Sequence, residues 1–378
     1  MSTDLKTLVG YLQAGRPQEC LAATQQALQV NSNDLLMLAY RGIAQGLLGN
    51  TKQEIVDLRA AADRGEASGQ IQIAAFAFHY LGNAYGKQGQ LQDSWKSLEH
   101  AAALGSQDVG LFTGLCQTAI RLGDEVSARK WGEKALFTKD LEVTSRKVKQ
   151  VSRQRPHLFN PNARSRNIVS YSLFGKNRFY QECAVMTARM LPYVYPEFTG
   201  RFYCSSTVPK SVLDALIAAG SQVEIDVYQE THPYSGLMWR FLPFDDPNVD
   251  VVLVRDVDSP ITLRERAGID LWLNKEAPFH VMRDHIQHTA PILAGLWGGF
   301  TKLLPPFRSS IFEYQQKDTS RYADQNYLRH FVWPQICRAT LAIDSVYTLR
   351  ETEDFPQAFP RYDTFHVGCS WSRGIIVD

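Results

Sequence analysis

The 378-residue chain is 44% hydrophobic and carries 40 Lys plus Arg against 39 Asp plus Glu, a formal net charge of +1. That length accommodates two cored domains, since a domain takes about 100–200 residues. The balanced charge gives neither the basic footprint of a nucleic-acid binder nor a membrane-surface signature.

Six cysteines (Cys20, Cys116, Cys183, Cys204, Cys337, Cys369) are dispersed without a C-x-x-C pair, which argues against a disulfide framework and for reduced thiols in a cytoplasmic setting. The opening MSTDLKTLVGYLQ lacks the basic-then-apolar order of a secretory leader. No apolar run approaches the ~20 residues of a membrane span, so a soluble protein without a transmembrane segment is expected.

Residues 1–140 repeat. Gly15, Gly49, Gly89 and Gly123 each precede a polar residue at an expected inter-helix turn, and Ala27, Ala61, Ala101 and Ala135 follow at a constant offset. The spacings are 34, 40 and 34, and the longer step is assigned to the extra polar segment Arg64 to Gln70. Tyr80, Leu81, Gly82, Tyr85, Gly89, Leu98 and Ala101 alternate small and large residues, and Phe112, Leu115, Gly123, Ala128 and Ala135 repeat the pattern. This resembles a tetratricopeptide (TPR) array of about four units, a helical solenoid. Such an array implies a concave face able to hold a protein or peptide, with Tyr40, Tyr80 and Asn83 as candidate contacts; bracing of the next domain is the alternative.

Residues 141–166 read as a capping helix that runs into a proline-bearing linker. The stretch is basic through Arg146, Lys147, Lys149, Arg153, Arg155, Arg164 and Arg166, read as a solvated helix face rather than an anion site.

From Asn167 the pattern alternates strand and helix. Strands are expected at Asn167–Phe174, Arg201–Cys204 and Val223–Tyr228, with helices around Tyr180–Leu191, Pro209–Ala219 and Ser235–Leu242. Together they predict a mostly parallel, Rossmann-like sheet covered on both faces. The run Val249, Val251, Val252, Leu253 and Val254 reads as a strand buried on both sides, and it ends in Asp256 and Asp258. Ligands of open α/β sheets lie beyond the carboxyl ends of the strands. Two hard carboxylates there can hold a divalent cation, Mn²⁺ or Mg²⁺, whose remaining positions are filled by water and phosphate. An acidic turn closing the strand is the alternative.

YSLFG (Tyr171 to Gly175), GRFY, VPKSVLDALIAAG, WRF (Trp239 to Phe241), RDVDSP, Arg264–Glu265 and FHVMRDHIQHTAPILAGLWG together resemble, over roughly Asn167 to Gly368, bacterial glycosyltransferase-like proteins of the GT-A fold, which makes residues 167–378 the expected GT-A-type domain. The resemblance implies a nucleotide-sugar donor, UDP- or GDP-linked, contacted by Tyr171, Ser172 and Gly175, with Asp256 and Asp258 on the metal. Metal-dependent transferases of the glycogenin type add a late histidine. His366 in FHVGCSW is the candidate, although its spacing to Gly368 departs by one residue; a loop histidine in a hydrogen bond is the alternative. Asp324 and Gln325 resemble the polar pair beside the transferred sugar in the same transferases, with Asp324 as an orienting or basic carboxylate or else a helix N-cap.

Between these motifs, Arg283 is read as a phosphate partner and Asp284 or His285 as partners of sugar hydroxyls. Gly295, Gly298 and Gly299 are read as permitting close backbone approach to a ligand, or as a flexible turn. Arg255 and Arg264 either neutralise phosphate or pair with Glu265 or Asp270. The spacing of His280, His285 and His288 does not match a structural zinc site. The expectation is a metal-dependent glycosyltransferase whose array selects a protein acceptor. The alternatives are transfer to a glycan or lipid-linked acceptor, and a non-catalytic scaffold.

Overall fold

The computed structural model describes residues 4–226, 232–361 and 365–371. The chain divides into two compact units, Met1–Ala135 and Leu136–Asp378.

In the first unit, α1 (Leu5–Gln13), α2 (Pro17–Val30), α3 (Leu35–Leu47), α4 (Thr51–Ala67), α5 (Ile71–Lys87), α6 (Leu91–Ala103), α7 (Val109–Leu122) and the start of α8 (Glu125–Thr144) follow one another through short turns. Gly15, Gly49, Gly89 and Gly123 have φ of 66°, 85°, 78° and 77°, the left-handed conformation glycine adopts without strain. Each closes its helix with the same bond. Arg16 N–H donates to the Tyr11 carbonyl (2.8 Å), Asn50 to Gln45 (2.9 Å), Gln90 to Tyr85 (3.0 Å) and Asp124 to Ala119 (2.9 Å), satisfying carbonyls the helix end leaves unpaired.

Small residues set the helix spacing. A Cβ on Gly82 would lie 2.6 Å from Leu98 Cγ, and one on Gly42 would lie 3.0 Å from Leu58 Cγ, a repeat of the same packing one unit apart. Ala61, Ala101 and Ala135 are fully buried. The extra residues of the middle step are mostly helical: α4 and α5 are each 17 residues long, against 13 for α3 and α6, so Arg64 to Ala67 lengthen a helix. Along α3 and α5, Tyr40, Phe76 and Tyr80 form an aromatic row with centroid spacings of 5.4 and 4.8 Å, and Asn83 is half-buried on α5.

The second unit is a mixed α/β sheet domain. Its elements are β1 (Asn167–Leu173), α9 (Arg178–Val194), β2 (Thr199–Cys204), α10 (Lys210–Ala218), β3 (Gln222–Ile225), the 3-10 segment Ser235–Asp245, β4 (Val251–Arg255), α11 (Leu263–Leu273), β5 (Phe279–Arg283), β6 (Leu296–Phe300), α12 (Phe307–Gln315), α13 (Ala323–Tyr327), α14 (Trp333–Ile336), β7 (Thr340–Asp344) and β8 (Thr352–Glu353). Tyr228, the expected end of the third strand, lies outside the described residues.

The strand order is β3-β2-β1-β4-β6-β5-β7-β8. All pairings are parallel except those of β6, which runs antiparallel to β4 and β5. The expected mostly parallel sheet is thus broken at one strand, because residues 284–295 connect β5 to β6 without a crossover helix. β4 reads as a continuous apolar run because both its faces are covered. Val252 and Val254 join one apolar layer with Trp239, Phe241 and Trp297, while Val251 and Leu253 join the other with Tyr171, Phe202 and Trp272.

Within residues 141–166, α8 ends at Thr144, and Arg146, Lys147, Lys149, Arg153 and Arg164 are exposed, but parts of the segment and the end of α8 are anchored in this unit. Leu136, Val143 and Asp140 of α8 belong to this unit: the two apolar side chains join its core, and Asp140 accepts from Arg350 (2.6 Å) and from the Trp333 indole (2.7 Å). Val151 N–H donates to the Gln335 carbonyl at 2.9 Å. Arg155, read from sequence as part of a solvated face, instead donates to the carbonyls of Trp272, Leu273 and Ala277, satisfying acceptors at the carboxyl end of α11.

Candidate functional site

Strands β2 and β3 extend the sheet to one side of β1, and β4 returns on the other side. The chain therefore reverses direction across the sheet between β1 and β4, and their carboxyl ends diverge into a crevice. A cavity of about 330 Å³ opens there. Its wall takes Ser172, Gly175 and Tyr180 from the β1 side, Asp256 and Asp258 from the end of β4, and Arg240 from the 3-10 segment.

Arg240 organises this wall. Its side chain is 5% exposed, its Nη1 donates to Asp256 Oδ1, and its Nη2 donates to Asp324 Oδ2 at 2.7 Å. Burial works against the guanidinium charge, but the Asp256 and Asp324 carboxylates outweigh it and raise the pKa. Arg240 N–H donates to Ser172 Oγ at 3.0 Å, which ties the segment to β1. The buried Nε has no partner among the described residues.

The three carboxylates differ. Asp256 is 45% exposed on the cavity wall. Asp258 is half-buried; burial raises its pKa, the nearby Asp256 adds to the rise, and Ser370 and Arg240 oppose it. Asp324 is buried, and burial raises its pKa against the pull of Arg240. It sits within α13, whose N-cap is Tyr322, so the N-cap reading of Asp324 fails.

Gly295 backs onto Asp256: a Cβ there would overlap Asp256 Oδ2. Gln325 holds this loop, accepting from Ala294 N–H at 3.0 Å and donating to the Ile292 carbonyl. Both ends of its side-chain amide are thus engaged with backbone.

Other expected site residues lie in the scaffold. Tyr171 is fully buried, stacked on Phe202 at 4.7 Å, and absent from the cavity wall, which takes only the last residues of β1, Ser172 and Leu173. Arg255 pairs with Glu265 at 2.6 Å inside the core, the ion-pair alternative. Arg283 is buried against Asp344 and the Pro291 carbonyl, not presented to phosphate. Gly298 is a packing glycine: its Cβ position is taken by the Val252 carbonyl and the His280 ring.

Asp284, expected to bind sugar hydroxyls, is fully buried and engaged on both oxygens. It accepts from Arg264 (2.8 and 3.0 Å), Ser345 (2.6 Å) and Val367 N–H (3.0 Å). His366 does not join the aspartate pair as a ligand; its ring stacks on His285 at 4.3 Å and meets His288 edge-on at 5.1 Å. His285, half-buried, is thereby part of a cluster with His288 and His366 and is absent from the wall of the cavity between β1 and β4. Among the described residues, no group of three or more His, Cys, Asp or Glu has the geometry to hold a metal ion.

The residue that sequence reasoning missed is Arg240. Its signal was an arginine inside the apolar stretch MWRFLPF, since a buried cation needs a buried anion beside it.

No family model and no curated protein matches the chain. Among solved structures, the chain is similar to an O-GlcNAc transferase mutant of Thermobaculum terrenum, with 18% identity, a TM-score of 0.38, and coverage of 66% of this chain and 44% of that one. It is also similar to MamA (18% identity, TM-score 0.30, covering 37% of this chain and 77% of that one). A third is TTC0263, a thermophilic TPR protein of Thermus thermophilus (18% identity, TM-score 0.31, covering 37% and 74%). The chain thus spans less than half the length of the transferase, and at these scores the likenesses assign no activity to it.

Proposed function

We propose that the second unit is a GT-A-type glycosyltransferase that binds a nucleotide sugar in the cavity between β1 and β4. The observation that carries this reading is the convergence of Asp256, Asp258 and Arg240 on one cavity at the point where the strand order reverses. Asp256 and Asp258 would hold Mn²⁺ or Mg²⁺, with water and phosphate oxygens completing the shell, as suits a cation with only two side-chain ligands. When bound, such an ion stabilises the charge that develops on a departing nucleoside diphosphate.

The chain's own residues supply the rest. Ser172 and the Gly175 backbone line the cavity where a donor would lie, and Asp324, which is absent from the cavity wall, would act through Arg240 by holding its guanidinium from behind. The helical array is proposed to hold a protein acceptor along the row of Tyr40, Phe76 and Tyr80, which would raise the acceptor's effective concentration at a joined catalytic unit. The dispersed cysteines suit a cytoplasmic enzyme.

Hydrolysis of UDP- and GDP-sugars with Mn²⁺ tests the reading. The wild-type chain is expected to release a nucleoside diphosphate from one donor, and the Asp256→Ala/Asp258→Ala variant to lose that release by a hundredfold or more, on the order of 3 kcal/mol. Equal rates in both proteins would remove the aspartates from the chemistry.

A further inference from the structure

The cavity already contains a cation. Arg240 contacts Asp256 on the cavity wall and is anchored from behind by Asp324 and by Ser172. A divalent ion arriving alone therefore meets a guanidinium in contact with one of its two side-chain ligands. Like charges repel strongly in a partly desolvated site, and no third acidic or imidazole ligand is present among the described residues to compensate. A nucleoside diphosphate changes this balance. Its oxygens give the ion ligands, and they give Arg240 acceptors to replace its share of Asp256, including one for the Nε that has no partner among the described residues.

We propose that Arg240 is a resident counter-ion that makes divalent-metal binding at Asp256 and Asp258 depend on a nucleoside diphosphate, so that metal and nucleotide enter together. This rests on the transferase reading of the same cavity and adds a rule for how the cavity is loaded. Linkage makes the effect reciprocal: whatever factor the nucleotide adds to metal affinity, the metal adds to nucleotide affinity.

The test is binding, read without turnover. Mn²⁺ affinity is measured on the full chain by the electron-spin resonance of the free ion, and UDP and GDP affinity by calorimetry with and without Mn²⁺. In the wild type, Mn²⁺ alone is expected to bind only in the millimolar range, and Mn²⁺ to strengthen binding of one nucleotide by about tenfold or more. Arg240→Gln is expected to strengthen binding of Mn²⁺ alone by about tenfold and to weaken nucleotide binding, while Arg240→Lys keeps Mn²⁺ binding weak. Because Arg240→Gln strands the buried Asp324 carboxylate, Arg240→Gln/Asp324→Asn carries the same expectation in a better-matched interior. Tight, micromolar binding of Mn²⁺ alone to the wild type overturns the proposal, whatever the variants do. So does unchanged or weaker Mn²⁺ binding in folded Arg240→Gln. If the wild type binds neither nucleotide under any condition, the transferase reading itself has failed, which is a separate outcome.

Discussion

Asp284 and Asp256 both follow the carboxyl end of a buried strand, yet their surroundings give them opposite work. Asp256 meets the cavity, whereas Asp284 accepts from Arg264, Ser345 and Val367 and has no oxygen left for a ligand. Asp284→Asn should therefore act on stability: removing one charge of a buried pair costs roughly 3–5 kcal/mol. Thermal denaturation should show a lowered midpoint, with donor affinity preserved below it. Unchanged stability with lost donor binding would return Asp284 to the ligand role that its sequence position suggests. The difference between these residues was not legible in sequence, because it is set by Arg264 in one case and Arg240 in the other. Arg240 and Asp324 meet across 84 positions of chain, a contact no local pattern encodes.

At the level of elements, local signals fared better where one face or one turn decides the outcome. The repeat glycines were readable because each left-handed turn needs one, and the four share φ and the same closing bond. Glycines inside the helices divide by what surrounds them. Nothing lies within 4 Å of a Cβ on Gly10 in α1, whereas one on Gly82 in α5 would strike Leu98. Gly10→Ala should raise stability by about 0.5–1 kcal/mol through the lower entropy of the unfolded chain. Gly82→Ala should lower it by about 1–3 kcal/mol through overpacking. Urea titrations of both variants measure this, and equal shifts would contradict the close-approach account of the array. Strand β1 was readable as a strand, but not which of its residues face the cavity. All seven are buried, and although Ser170 and Ser172 alternate with Val169, Tyr171 and Leu173, the wall takes Ser172 and Leu173 from both faces, so position along the strand decides and not the alternation.

Strand β5 adds a pH dependence. His280 is fully buried against Trp272, and burial, then Arg255 and Arg155, push its pKa well below the ordinary 6.5. Below pH 6.5 the unfolded chain gains a proton that the folded chain refuses, so stability is fully present above that value and falls as the pH drops. The slope is about 1.4 kcal/mol per pH unit for such a group. His288 is depressed for the same leading reason, burial, and adds in the same direction. Denaturant titrations between neutral and mildly acidic pH should show a shallower loss in His280→Phe than in the wild type. Identical slopes would mean that His280 is protonated in the folded state.

Across the whole molecule, the division into a helical array and an α/β unit was legible from the change in hydrophobic period, and its position was not. The boundary falls at Ala135–Leu136 inside one continuous helix, since Leu136, Val143 and Asp140 face the second unit's own core and Arg350. The antiparallel β6 was equally hidden. Its sequence, LWGGF, is apolar in either direction, and only the helix-free connection from β5 gives its orientation away. The end of β4 was legible as the point where buried aliphatics give way to Asp256 and Asp258, and both of these line the cavity.

The account stands on a phosphate-bearing donor lying at the carboxyl ends of β1 and β4. The most direct measurement is a crystal structure of the full chain grown with Mn²⁺ and a panel of UDP- and GDP-sugars. It should show a diphosphate between Ser172 and Arg240, with an ion on Asp256 and Asp258. An ordered nucleotide sugar elsewhere on the molecule, with Arg240 still paired to Asp256 in an empty cavity, would contradict it.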